Sequence, residues 1–264
     1  MDRATAIRTL FAEEHVSASQ INTFRRCPRA YQYRYVERVP PESRGSALAF
    51  GSAIHAALEH FYKTHKNGER EPTADGLGAV FHDAWNSELR GDVPILFGEK
   101  EDEDSLLDVG TRMLAVFHEK VERPHRVIEV EMPFSIELAP GLPRLVGVLD
   151  LVVQDEDGSF RIVEHKTGAR RWTDDKLLYD PQITAYAMTA PLVGLDQAAV
   201  TINLLTKTKR PDLVVYQPTR TQADIDELIE TATAVLRAVE AGAFWCNRDW
   251  HCRGCEFASR CVAG

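Results

Sequence analysis

The sequence predicts an α/β fold with a helical N-terminal part, a strand-rich core that begins near Pro124, and a cysteine-rich tail. Three observations carry that prediction. Apolar residues recur at helical spacing through residues 17–121. They alternate with polar residues at a period of two through residues 127–166. Strand-like and helix-like segments then interleave as far as residue 242. With no internal repeat, low-complexity tract or flexible linker, the 264 residues read as one domain, 1–264. Its parts are a mainly helical 17–123, a sheet core over 124–220, and a helix with the cysteine-rich tail over 221–264.

The elements follow in order. Ser17 and Gln20 form a capping-box pattern ahead of a helix expected over 17–37. Pro40, Pro41 and Gly45 mark a loop. A second helix covers 50–66 and stops at Asn67-Gly68, and two more are expected over 73–90 and 104–121. Residues 127–138, 144–154 and 159–166 read as strands, the last two joined by a three-residue turn, Glu156-Asp157-Gly158, with glycine in the left-handed position. Asp180 followed by Pro181 is an N-cap with proline at the first helical position, opening a helix to about residue 190. Strands over 198–206 and 213–217 come next, then a helix opened by Thr221 and Asp224 that ends near Gly242.

Composition narrows the class. The formal net charge is −9, yet positive charge is concentrated locally. Arg25, Arg26, Arg29, Arg34, Arg38 and Arg44 are interleaved with Phe24, Tyr31, Tyr33 and Tyr35, and Arg170-Arg171-Trp172 and Lys207, Lys209 and Arg210 form two further basic spots. A nucleic-acid partner needs only such a local groove, so the overall charge does not exclude one. No apolar run approaches the length of a membrane span, and Met1 to Arg8 lack the apolar segment of a signal peptide, so a cytoplasmic protein with no membrane partner is expected. Five cysteines in a reducing compartment argue for metal rather than disulfides.

The turn at 156–158 sets a register in which paired residue numbers sum to 314. That places Asp150 opposite Glu164, with Cβ atoms about 5 Å apart on one face. Alternation puts Lys166 on the same face and turns the His165 side chain away. Two facing carboxylates repel unless a cation lies between them, and Asp150 is bracketed by Val148, Leu149, Leu151 and Val152, poor surroundings for a surface acid. A divalent-metal site with an ammonium for an anionic transition state is the chemistry that this set suggests. The competing reading is an ordinary charged strand face.

Asp150, Glu164 and Lys166, with Glu164-His165-Lys166 as the acidic-x-Lys element, resemble the core of PD-(D/E)xK nucleases. Gly147-Val-Leu-Asp150 resembles the RecB-like and AddB-like branch, as do Gly51-Ser-Ala-Ile-His55, Gln182-Ile-Thr-Ala-Tyr186 and the opening segment from Ser17 to Tyr31. The resemblance runs from Ser17 to Cys261. It implies a restriction-endonuclease-like mixed sheet flanked by helices, and phosphodiester hydrolysis by a metal-activated water. His55, Asp150, Glu164 and the backbone carbonyl of His165 would then hold Mg²⁺ or Mn²⁺, Lys166 would stabilise developing charge, and Gln182 and Tyr186 would contact DNA or water near the metal. Cys252, Cys255 and Cys261 lie within ten residues, with Cys27 far away in sequence. The family's arrangement implies that these four bind a 4Fe–4S cluster, with Cys246 left as a buried free thiol. The expected substrate is single-stranded DNA or DNA ends, contacted by Arg25, Arg26, Tyr31, Arg170 and Lys207, in repair, recombination or phage DNA processing. Two rivals stand beside this: a catalytically silent, zinc- or cluster-bound DNA-binding protein, and a nuclease subunit of a helicase or CRISPR integrase complex. No phosphate-binding Gly-x-x-x-x-Gly-Lys-[Ser/Thr] loop is present for a motor of its own.

Overall fold

A computed structural model describes residues 14–262; the Met1 to Arg8 segment read above lies outside them. A mixed six-stranded sheet is flanked by helices on both faces, which is the α/β architecture expected of a restriction-endonuclease-like fold. The chain runs β1 (His15–Val16), α1 (Ala18–Arg26), α2 (Pro28–Tyr31), β2 (Arg44–Gly45), α3 (Ser46–Lys66), α4 (Ala74–Leu89), β3 (Ile95–Leu96) and α5 (Glu103–Lys120). The core strands are β4 (Arg126–Ile136), β5 (Arg144–Gln154) and β6 (Phe160–Gly168). They are followed by α6 (Asp174–Leu178), α7 (Pro181–Leu192), β7 (Ala199–Thr206), β8 (Leu213–Tyr216), α8 (Gln222–Glu240), a 3-10 turn (Trp250–Gly254) and α9 (Ala258–Val262).

Strand β5 is the hinge of the sheet. It pairs with antiparallel β4 from Leu145 to Gln154, with a register shift between Val127 and Glu129, while its other edge meets parallel β1 at Arg144 and Leu145 and antiparallel β6 from Leu151 onward. β6 continues parallel to β7, which pairs with antiparallel β8. Helices α3, α4 and α5 pack on one face through Phe61, Trp85 and Phe117 against Leu151, Val153 and Val163. On the other face α7 and α8 cover Leu149, Val152, Ile162 and Ile202. The turn after β5 forms as expected, with Gly158 at φ 86° and Asp155 N–H donating to Ser159 O.

The opening helix departs from expectation. It does not run unbroken through 17–37, because Cys27 is extended at φ −159°, ψ 104°, and Pro28 starts a new helix that widens into a π-helical turn over Gln32–Val36. Proline crowds the α conformation of the residue before it, so the break falls at Cys27. The second helix begins four residues earlier than its apolar pattern suggested, capped by Gly45. The short strands β1, β2 and β3, the helices α6 and α9 and the 3-10 turn are too brief to leave a periodic signal.

Candidate active site

The β5–β6 register is the one counted from the turn: Leu151 pairs with Val163, Val152 with Ile162 and Gln154 with Phe160. The ladder stops there. One residue further on, Asp150 and Glu164 lie where the strands part, and Asp150 Oδ2 accepts a hydrogen bond from the His165 backbone N–H at 2.9 Å. A side-chain carboxylate thus satisfies a donor that has lost its strand partner.

His55 reaches the same spot from the middle of α3. Its Nε2 is 2.9 Å from His165 O and its Nδ1 is 3.6 Å from Asp150 Oδ2. Donation from Nε2–H to the carbonyl leaves the Nδ1 lone pair directed at the acid. Burial lowers the pKa of His55, against the pull of Glu164, and so favours this neutral form. On the far side, Glu164 is 2% exposed and held by two donors: Lys166 Nζ ion-pairs with Oε1, and the Tyr186 hydroxyl lies 2.6 Å from Oε2. Gln182 links the pair, accepting from Lys166 Nζ at 2.7 Å and donating to the Tyr186 hydroxyl at 2.8 Å. Residues 182 and 186 share one helix face because they are one turn apart on α7.

Gly147 explains its own place in the motif. A Cβ there would lie 2.6 Å from Phe134 Cζ, and this buried ring crosses the glycine to pack edge-on against Tyr186.

Burial and the nearby Glu164 carboxylate raise the Asp150 pKa well above the usual range, with Glu131 adding to the effect. Burial opposes charge on Lys166 as well, but the attraction of Glu164 and Asp150 outweighs it and keeps the ammonium protonated. His165 turns its ring away into a stack on Tyr62 (5.3 Å) and against Phe117 (6.1 Å). Neither of its ring nitrogens has a hydrogen-bond partner, and burial pushes its pKa down to about 3. Below pH ~6.5 the unfolded chain takes up a proton that the folded ring refuses, so this residue's stabilisation is complete above that pH and is lost as pH falls toward 3. The loss should reach about 2 kcal/mol at pH 5, at 1.36 kcal/mol per pH unit. His165→Phe should flatten that part of the thermal-unfolding profile of metal-free protein between pH 7.5 and 5; an unchanged slope would show that the ring is not held neutral.

One residue at the site escaped the sequence reading. Glu131 on β4 lies across from Asp150, between the pairs Val130–Leu151 and Met132–Leu149. His55, Glu131 and Asp150 each offer a ligand atom within 4.8 Å of the others. One imidazole and two carboxylates, with the His165 carbonyl adjacent, form a donor set suited to Mg²⁺ or Mn²⁺. Glu164 stands outside this trio, its oxygens engaged by Lys166 and Tyr186.

The five cysteines converge on one cleft of about 490 Å³. Cys27 is buried in its wall at the helix break, while Cys252, Cys255 and Cys261 are half-buried. Cys246 was expected to be buried but is exposed, because residues 243–248 cross the surface without regular structure, and its Sγ is 4.0 Å from Cys261 Sγ. Burial and the neighbouring thiols push the Cys261 pKa up to about 11, and burial raises that of Cys255.

The expected DNA contacts divide. Arg25, Arg26 and Arg170 are exposed. Tyr31 is not available: it is 6% exposed, packed on Phe24 and Tyr35, because the break at Cys27 turns it into a small core with Val235. Lys207 is also committed, ion-paired to Glu101 over the Phe50 ring.

The model of the PD-(D/E)XK nuclease superfamily matches residues 15–262. The chain belongs to that superfamily. An exonuclease candidate from Eubacterium rectale, known from a crystal structure, superposes with a TM-score of 0.58 at 15% identity, over 97% of this chain and 92% of that one. The crystal structure of SSO0001 aligns with a TM-score of 0.44 at 14% identity, over 98% of this chain and 91% of that one. No curated protein sequence matches. The superfamily makes this chain a nuclease, a phosphodiester hydrolase of a class that uses divalent metal. No helix among the described residues is long and apolar enough to cross a membrane.

Proposed function

We propose that the protein is a divalent-cation-dependent DNA exonuclease of the RecB-like branch, acting on single-stranded DNA or DNA ends in repair, recombination or phage DNA processing. The observation that carries this reading is the convergence of His55, Asp150, Glu164 and Lys166 at the point where β5 and β6 part. A cation held by His55 and the acids would lower the pKa of a bound water and neutralise phosphate charge. The chain's own residues do the rest. Lys166 stays cationic, and Gln182 and Glu164 aim its ammonium at the phosphate. Tyr186 donates to Glu164 and so fixes the carboxylate that holds the lysine.

Cys27, Cys252, Cys255 and Cys261 would hold a 4Fe–4S cluster: thiols lining one cavity, three close in sequence and one distant, fit thiolate ligation. With Tyr31 buried, the aromatic surface for unpaired bases lies at Trp245 and Trp250, 55% and 78% exposed, with Arg25 and Arg26 exposed on α1. The described residues favour neither a helicase nor a CRISPR integrase partner over a freestanding enzyme.

The exonuclease part is tested with one single strand presented in linear, end-labelled form and as a closed circle. In Mg²⁺ or Mn²⁺ the linear strand should be degraded and the circle should persist. Equal rates on both would remove the requirement for an end and leave an endonuclease.

A further inference from the structure

The sheet carries a fault at the site that its register alone does not show. Regular alternation puts residues two apart on the same face. Leu149 and Leu151 of β5 nevertheless pack in opposite cores, Leu149 with α7 and α8 and Leu151 with α3 to α5. Their partners on β4 do the same, with Val130 in the α3–α5 core and Met132 against the α7–α8 core. Both strands therefore switch faces at one cross-strand pair, Glu131 and Asp150. In β4 the switch is made by Glu131 itself, which adopts φ 56°, a left-handed conformation that a residue with a side chain enters only when its surroundings enforce it.

Three acids consequently stand in a row across adjacent strands: Glu131 on β4, Asp150 on β5 and Glu164 on β6. Like charges opposite one another in a sheet repel. On the Glu131 side of Asp150 the group that completes a ligand set is His55, with all three ligand atoms within 4.8 Å of one another.

We propose that Glu131 is a direct ligand of the catalytic cation, shared with Asp150 and His55, and that the face switch in β4 serves to bring its carboxylate to the metal. The proposal rests on the divalent-metal reading given above and adds a ligand to it. In this arrangement Glu131 reaches the cation from the β4 side of Asp150, across from Glu164 on β6. Glu129, two residues away on the same strand, carries the same charge but is hydrogen-bonded to Lys66 at 2.6 Å and has no part in the trio.

Mn²⁺ binding to the full-length protein, followed by the loss of the free-ion EPR signal and by the metal-dependent rise in Tm, tests this without reference to activity. Glu131→Gln should weaken Mn²⁺ binding tenfold or more and abolish most of the Tm rise, whereas Glu129→Gln should bind as the unaltered protein does. If Glu131→Gln binds within twofold of the unaltered protein, or if both variants weaken equally, the ligand assignment is overturned. If the unaltered protein binds no Mn²⁺, the metal reading beneath it fails instead. Circular dichroism of metal-free Glu131→Gln should match the unaltered protein, separating lost ligation from lost folding.

Discussion

Asp150→Asn should lower DNA cleavage by about three orders of magnitude or more while making the metal-free protein more stable. The loss follows if Asp150 is, as proposed, a charged metal ligand whose effect is exerted in the transition state. The gain in stability follows from the raised pKa of Asp150, set by burial and the Glu164 carboxylate. A folded-state pKa above the unfolded value of about 3.9 means that the native state resists ionisation, so stability falls as pH rises through that window and the penalty is present at pH 7.5. Asparagine keeps the shape and the oxygen that accepts from His165 N–H but carries no charge to penalise. Glu164→Gln and Lys166→Ala should match the loss of activity. Thermal unfolding in a chelator, beside single-turnover cleavage in Mg²⁺, reads both effects. An Asp150→Asn protein that cleaves normally, or that melts well below the unaltered protein, would contradict the assignment.

The second large effect concerns the cysteines. Cys27 lies at the break between α1 and α2, and its partners in the cleft come from the last elements of the chain, so a group bound by all of them closes a loop of more than 200 residues. Closing so long a loop restricts the unfolded chain by about 5.4 kcal/mol on the loop-entropy model used for disulfides. Protein purified without oxygen should be brown with about four irons per chain. Serine at Cys27, Cys252, Cys255 or Cys261 should remove the colour and leave a protein that aggregates or is readily proteolysed. Cys246→Ser, at the exposed rim, should keep both colour and stability. Stable, colourless protein carrying one zinc would refute the iron–sulfur assignment and leave the nuclease site untouched.

Much of this was legible because it is written locally. The β5–β6 hairpin could be counted from a single turn, since a glycine in the left-handed region fixes the loop and the loop fixes the register. The spacing of residues 182 and 186 placed both on one face of α7. What stayed hidden depends on contacts distant in sequence or on irregular backbone. Tyr31 looked like a free aromatic among arginines until Pro28 broke the helix and turned it inward. Lys207 looked like a basic spot because its partner, Glu101, lies 106 residues away. Glu131 reads as the polar half of an alternating strand beside Glu129, and only the face switch separates the two. The order Glu129-Val130-Glu131 on a strand next to the acidic hairpin was the available signal, and it does not say which glutamate turns inward.

The most direct test of the central claim is cleavage of end-labelled linear DNA by purified protein in Mg²⁺, in Mn²⁺ and in excess chelator, run beside the Asp150→Asn, Glu164→Gln double variant at matched folded concentration. Product should form only with the metals and only with the unaltered site. Cleavage that persists in chelator, or in the double variant, would place the chemistry elsewhere.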